Sequence, residues 1–141
     1  MVALRLLTLV SLALLVLPGC GSGRRDADGG ATQVSVTERD FKISAPRRVR
    51  SGNLLISVRN RGPDAHELIV VRDRSSELPL RRDGSTVSEE KLEPVTVGAL
   101  EPGQPGSRRT LRLHLAPGTY ELFCNMSGHY LGGMHAKLVV G

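Results

Sequence analysis

Between residues 33 and 140, apolar and polar positions alternate in short runs punctuated by Gly, Pro and Asn. That is the period-two pattern of half-buried β-strands. In 33–37, Val34 and Val36 share one face. In 53–60, Leu54, Ile56 and Val58 do so, leaving Ser57 and Arg59 opposite. Residues 110–115 alternate cleanly, and Pro117-Gly118 turns the chain into a strand over 119–124. In 135–140, Ala136, Leu138 and Val140 face together. Residues 66–72 differ, being almost continuously apolar after Glu67, as expected of a strand covered on both sides. The pattern predicts an all-β, mostly antiparallel, two-sheet β-sandwich over 32–141. Residues 75–109 are less regular. Glu89 to Leu92 predict a helical turn, Pro94, Pro102 and Pro105 break anything longer, and the segment reads as a crossover with one or two short strands.

The first thirty residues carry a different pattern. Arg5 precedes an apolar run over 6–17 and then small residues, the order of an export signal. The run is ~12 residues long, short of the roughly 20 needed to span a bilayer. Residues 1–19 are therefore expected to be a cleaved signal. Leu17-Pro18-Gly19-Cys20 resembles the bacterial lipoprotein box, which makes Cys20 the expected lipidation site, although Pro18 stands where a small residue is usual. Residues 20–31, polar and Gly-rich, would then form a flexible tether with a reach on the order of 20 Å. The expected location is extracytoplasmic, anchored by lipid to the outer face of a membrane.

Composition narrows the function. The net charge is +5, carried almost entirely by Arg interleaved with Asp and Glu. There is no Trp, and there are two Phe and two Tyr, so the stacking aromatics of a nucleic-acid surface are missing. A basic surface of this kind can attract an acidic protein partner or anionic lipid head groups.

The chemistry is concentrated in 124–134, where Cys124, His129 and Met134 stand five residues apart on a Gly-containing loop between two expected strands. Soft sulfur together with imidazole selects copper, and a His₂Cys set with a weak axial Met is an electron-transfer arrangement. His66 is the natural second His, because it follows a turn over 60–65 and opens a buried strand. Cys124 taken alone would be a buried small hydrophobe. With Cys20 lipidated, however, it has no intrachain disulfide partner, and an unpaired thiol in an exported domain points to a metal. Met126, only two residues from Cys124, is expected to pack or face outward. Glu67 is expected to face solvent, with its backbone N–H available to the Cys124 sulfur. His114 and His135, on or beside strand positions facing away from the core, are not expected to be ligands.

On these residues the chain resembles the cupredoxins, particularly the sulfocyanin and rusticyanin-like branch. Residues 122–134 look like that family's copper loop, 60–67 like its first-His segment, and 117–120 like the turn into its Cys strand. The resemblance covers about 34–140. It implies a Greek-key sandwich, with His66, Cys124 and His129 as equatorial ligands of one copper ion and Met134 as the axial ligand. It also implies one-electron transfer by Cu(I)/Cu(II) cycling. The single Cys of the loop excludes a dinuclear copper variant, which needs two.

The expected function is thus an electron carrier and not an enzyme, since a copper oxidase or nitrite reductase needs a further His-rich site and the chain has four His in all. The expected partners are redox proteins of the cell envelope or respiratory chain, with the chain itself monomeric. The alternative is copper capture or delivery without redox turnover, but the tether lacks the Met or His residues of a metal-handing arm.

Overall fold

The computed structural model describes residues 30–73 and 77–141. The expected signal, Cys20 and most of the tether lie outside the described residues. No helix among the described residues is long and apolar enough to cross a membrane.

Among the described residues nine strands form in chain order: β1 (Thr32–Arg39), β2 (Lys42–Ser44), β3 (Arg48–Val49), β4 (Gly52–Asn60), β5 (His66–Arg72), β6 (Thr96–Gly103), β7 (Arg108–Leu115), β8 (Gly118–Phe123) and β9 (His135–Val140). One sheet has the order β2-β1-β4-β7 and the other β3-β9-β8-β5-β6. This is the expected all-β sandwich, with two exceptions to antiparallel pairing: β1 runs parallel to β4, and β3 parallel to β9.

The alternating positions behave as their period requires. Val34, Val36, Leu54, Ile56 and Val58 from one sheet meet Leu68, Val70, Leu122, Leu138 and Val140 from the other in a single core. Strand β5 is covered on both faces, as its continuous apolar run implies. Leu68 and Val70 face the sandwich, while Ile69 and Val71 pack under Leu78, Val87 and Leu92. That second layer comes from the 75–109 crossover, which contains the helical turn α1 (Glu89–Leu92) and a 3₁₀ turn (Glu93–Val95) before β6. Pro102 is accommodated because β6 is an edge strand, where a missing N–H costs the sheet little.

At one end of the sandwich the interior turns polar. Glu38, Asn60 and His66 are fully buried there. Asn60 organises this end by donating from Nδ2 to the carbonyls of Asp64 and Gly103 and accepting from the Gly62 N–H. The 60–65 turn is therefore held by one side chain, and it delivers His66 to the start of β5.

Candidate metal centre

The loop joining β8 to β9 is folded by its own backbone. The Cys124 N–H donates to the Met134 carbonyl at 3.1 Å, and the Met134 N–H to the His129 carbonyl at 2.9 Å. Gly128 and Gly133 adopt φ of 80° and 100°, a region that L side chains avoid. These two reversals bring residues far apart along the loop to one point.

His66, Cys124 and His129 converge there, with one ligand atom from each lying within 4.8 Å of the others. The Cys124 Sγ stands 3.6 Å from Nδ1 of His129, and the His66 and His129 ring centroids are 5.2 Å apart. His66 and Cys124 are buried, while His129 is half-exposed. Met134 is fully buried and belongs to the same core cluster as Cys124. Met126 packs against the margin of that core, as expected. His114 and His135 are outside the group: His114 is exposed against Asn53, and His135 Nδ1 lies 3.0 Å from Glu121 Oε1.

The orientation of His66 is set by a residue the sequence did not single out. Its Nε2 faces Asp40 Oδ1 at 2.7 Å, from the turn between β1 and β2. Both ring nitrogens are buried and neither makes a hydrogen bond of full geometry; with Nε2 set against Asp40, Nδ1 is the nitrogen left for Cys124 and His129. Burial lowers the His66 pKa, opposed by the Asp40 carboxylate. The neutral ring, the form that can ligate a metal, is thereby favoured.

The Cys124 thiol is pushed up by burial, and the backbone N–H groups of Met126 and Glu67 act against that shift. The Glu67 backbone thus lies on the side of the sulfur, where it favours the thiolate. Its side chain does not face solvent as expected, because Oε1 accepts from the Asn125 N–H at 2.9 Å. Burial, followed by the nearby charge of Glu89, raises the Glu67 carboxyl above its ordinary value. Asn125 ties the loop to the crossover: its Oδ1 accepts from the Val87 N–H, and its Nδ2 donates to the Val87 carbonyl and to Glu89. Nothing local in the sequence distinguishes Asn125 or Asp40, because each acts on a segment remote in the chain.

Around His129 the surface is apolar. Phe41 meets the ring edge-on at 5.2 Å and remains 49% exposed, and Leu131 is 54% exposed. A set of two imidazoles and one thiol, with a thioether in the same core and one ring reaching the surface, can hold a soft metal ion.

No protein-family model and no curated protein matches the chain. Solved structures do. It is similar to dithionite-reduced auracyanin from Roseiflexus castenholzii, with 19% identity and a TM-score of 0.62 over 79% of this chain and 99% of that one. It is similar to auracyanin A, a "blue" copper protein from Chloroflexus aurantiacus, with 18% identity and a TM-score of 0.60 over 79% and 100%. Rusticyanin from Thiobacillus ferrooxidans aligns at 14% identity with a TM-score of 0.59 over 79% of both chains. The likeness establishes the Greek-key cupredoxin fold.

Proposed function

We propose that this chain is a one-electron carrier that holds a single copper ion through His66, Cys124 and His129, with Met134 as a weaker axial ligand. The observation that carries the reading is the convergence of the two rings and the thiol within 4.8 Å at the polar end of the sandwich. The blue copper neighbours support it. The donor set fits the metal: His66 Nδ1 is a buried nitrogen with no other partner, and Cys124 is a free buried thiol.

When bound, copper supplies the one-electron couple. The chain's own residues do the rest. Asp40 holds His66, the backbone of 124–134 fixes the spacing of the loop ligands, and the Met126 and Glu67 backbones favour the thiolate. A cage fixed before the metal arrives changes little between oxidation states, which lowers the cost of moving an electron. The half-exposed His129, bordered by Phe41, is the exit. The chain acts at the outer face of a membrane, held by lipid on Cys20, as a monomer serving redox proteins of the cell envelope or respiratory chain. The export pattern of residues 1–20 supports this placement.

Adding copper(II) to the purified protein should give an intense blue or green thiolate–copper colour, lost in Cys124→Ser. Copper(II) binding without strong visible absorption would sink the carrier reading.

A further inference from the structure

The outer face of the β2-β1-β4-β7 sheet carries a feature the metal centre does not use. A groove of about 380 Å³ crosses β1, β4 and β7. Its floor is built from two successive rows of the sheet. Ser35, Ser57 and Thr110 stand side by side in one, and Thr37, Arg59 and Arg108 in the next. Arg61, just beyond β4, lines the same groove.

Three positive charges are therefore crowded together. Arg59 and Arg108 are direct cross-strand partners, an arrangement that is unfavourable for like charges. The pKa of Arg59 is lowered, first by Arg61 and then by Arg108. Among the described residues no carboxylate lies within ion-pair distance of Arg59, Arg61 or Arg108. Arg109, which also borders the groove, is committed elsewhere, to Glu38 and to the Glu101 carbonyl. Arg59 Nε is moreover buried without a hydrogen-bond partner. A cationic cluster that lacks its counter-charge, with a row of hydroxyls beside it, is complementary to an anion with several acceptor oxygens.

We infer that this groove binds a phosphate group, gripped by Arg59, Arg108 and Arg61 and oriented by the Ser57 and Thr110 hydroxyls. Guanidinium forks match tetrahedral oxyanions two oxygens at a time. Three guanidinium groups suit a phosphate, with its several acceptor oxygens, better than a single carboxylate. No aromatic side chain lines the groove, so bases have nothing to stack on and nucleic acid is not the source. Free phosphate or a phosphomonoester is one source, and the head group of an anionic phospholipid is the other.

The test titrates inorganic phosphate into the purified protein at constant ionic strength, following affinity by calorimetry and the unfolding temperature by scanning. The variants are Arg59→Gln/Arg108→Gln, its two single variants and, as a control for each single charge removed, Arg112→Gln, which lies on β7 outside the groove. A parallel arm measures binding to phosphatidylglycerol vesicles against phosphatidylcholine vesicles. Phosphate should bind and raise the unfolding temperature, with affinity falling at least tenfold in the double variant and less than twofold in Arg112→Gln. The double variant should also unfold at a higher temperature than the parent without phosphate, because a repulsion is gone. Failure of free phosphate together with groove-dependent binding to phosphatidylglycerol identifies the lipid source and also supports the site. Equal responses to phosphate and chloride, or equal losses in the double variant and Arg112→Gln, would overturn it.

Discussion

The buried ring of His66 lies with its Nε2 2.7 Å from Oδ1 of Asp40, and this contact leaves Nδ1 for the cluster formed with Cys124 and His129. A carboxylate behind a ligand histidine fixes both the tautomer and the ring plane. Removing it in Asp40→Ala should weaken copper(II) affinity about 10–100-fold. Asp40→Asn, whose side-chain oxygen can still accept from Nε2, should recover part of that loss. Competition against a calibrated chelator distinguishes the two, and unchanged affinity in the alanine variant would show that Asp40 does not orient the ring.

The same contact depends on the absence of a side chain at Gly62. A Cβ there would come within 2.6 Å of both Asp40 Oδ1 and His66 Nε2. Gly62→Ala should therefore cost about 1–3 kcal/mol of stability through overpacking and should displace the ring. Denaturant unfolding of the metal-free protein gives the first effect, and the visible spectrum of the copper-loaded protein the second.

Asn125 makes the principal side-chain tie between the ligand loop and the crossover. Each hydrogen bond contributes about 1 kcal/mol, and Asn125→Ala leaves the Val87 N–H and carbonyl short of partners in the interior. A loss of roughly 2–4 kcal/mol is expected. Hydrogen exchange should quicken at Val87 and along 124–129, while the far strands of the sandwich keep their protection.

Met134→Leu tests the axial assignment. The swap nearly conserves volume, so stability should change by less than about 1.5 kcal/mol. Losing a sulfur donor disfavours copper(II) more than copper(I), so the reduction potential should rise while the colour persists. A potential unmoved by this change and shifted by Met126→Leu would transfer the axial role to Met126.

Glu121 supplies a pH dependence. It is buried, its Oε2 lacks a partner, and burial raises its pKa above the ordinary 4.5, opposed by His135. In the window above 4.5, the folded chain therefore binds a proton that the unfolded chain has released. Stability must fall as pH rises through that window, and the contribution is neutral below it, where both states are protonated. Glu121→Gln should flatten this decline in urea midpoints measured from pH 4 to 8. An unchanged slope would place the titration elsewhere.

Much of this protein is written in its local pattern. Period-two alternation identified four strands and their inward faces, because the side of a sheet a residue occupies depends only on its parity along the strand, and the Pro117-Gly118 turn located the strand after it. The unbroken apolar run of β5 announced burial on both faces. The spacing of Cys124, His129 and Met134 announced a soft-metal loop, because the residue types carry the chemistry wherever they are placed. What parity could not convey was partnership. Strands β2 and β3, three and two residues long, are too short to show a period, and the parallel pairings β1–β4 and β3–β9 leave no local trace. Asp40, Gly62 and Asn125 look like ordinary turn and loop residues until the chain closes and each meets a group distant in sequence. The convergence of Arg59 and Arg108 likewise rests on the register between β4 and β7. The sequence alone thus determined which side chains could bind a metal and which faces would be buried. The tertiary structure decided what stands behind each of them, because those contacts are fixed by strand pairing across the sandwich and not by neighbours along the chain.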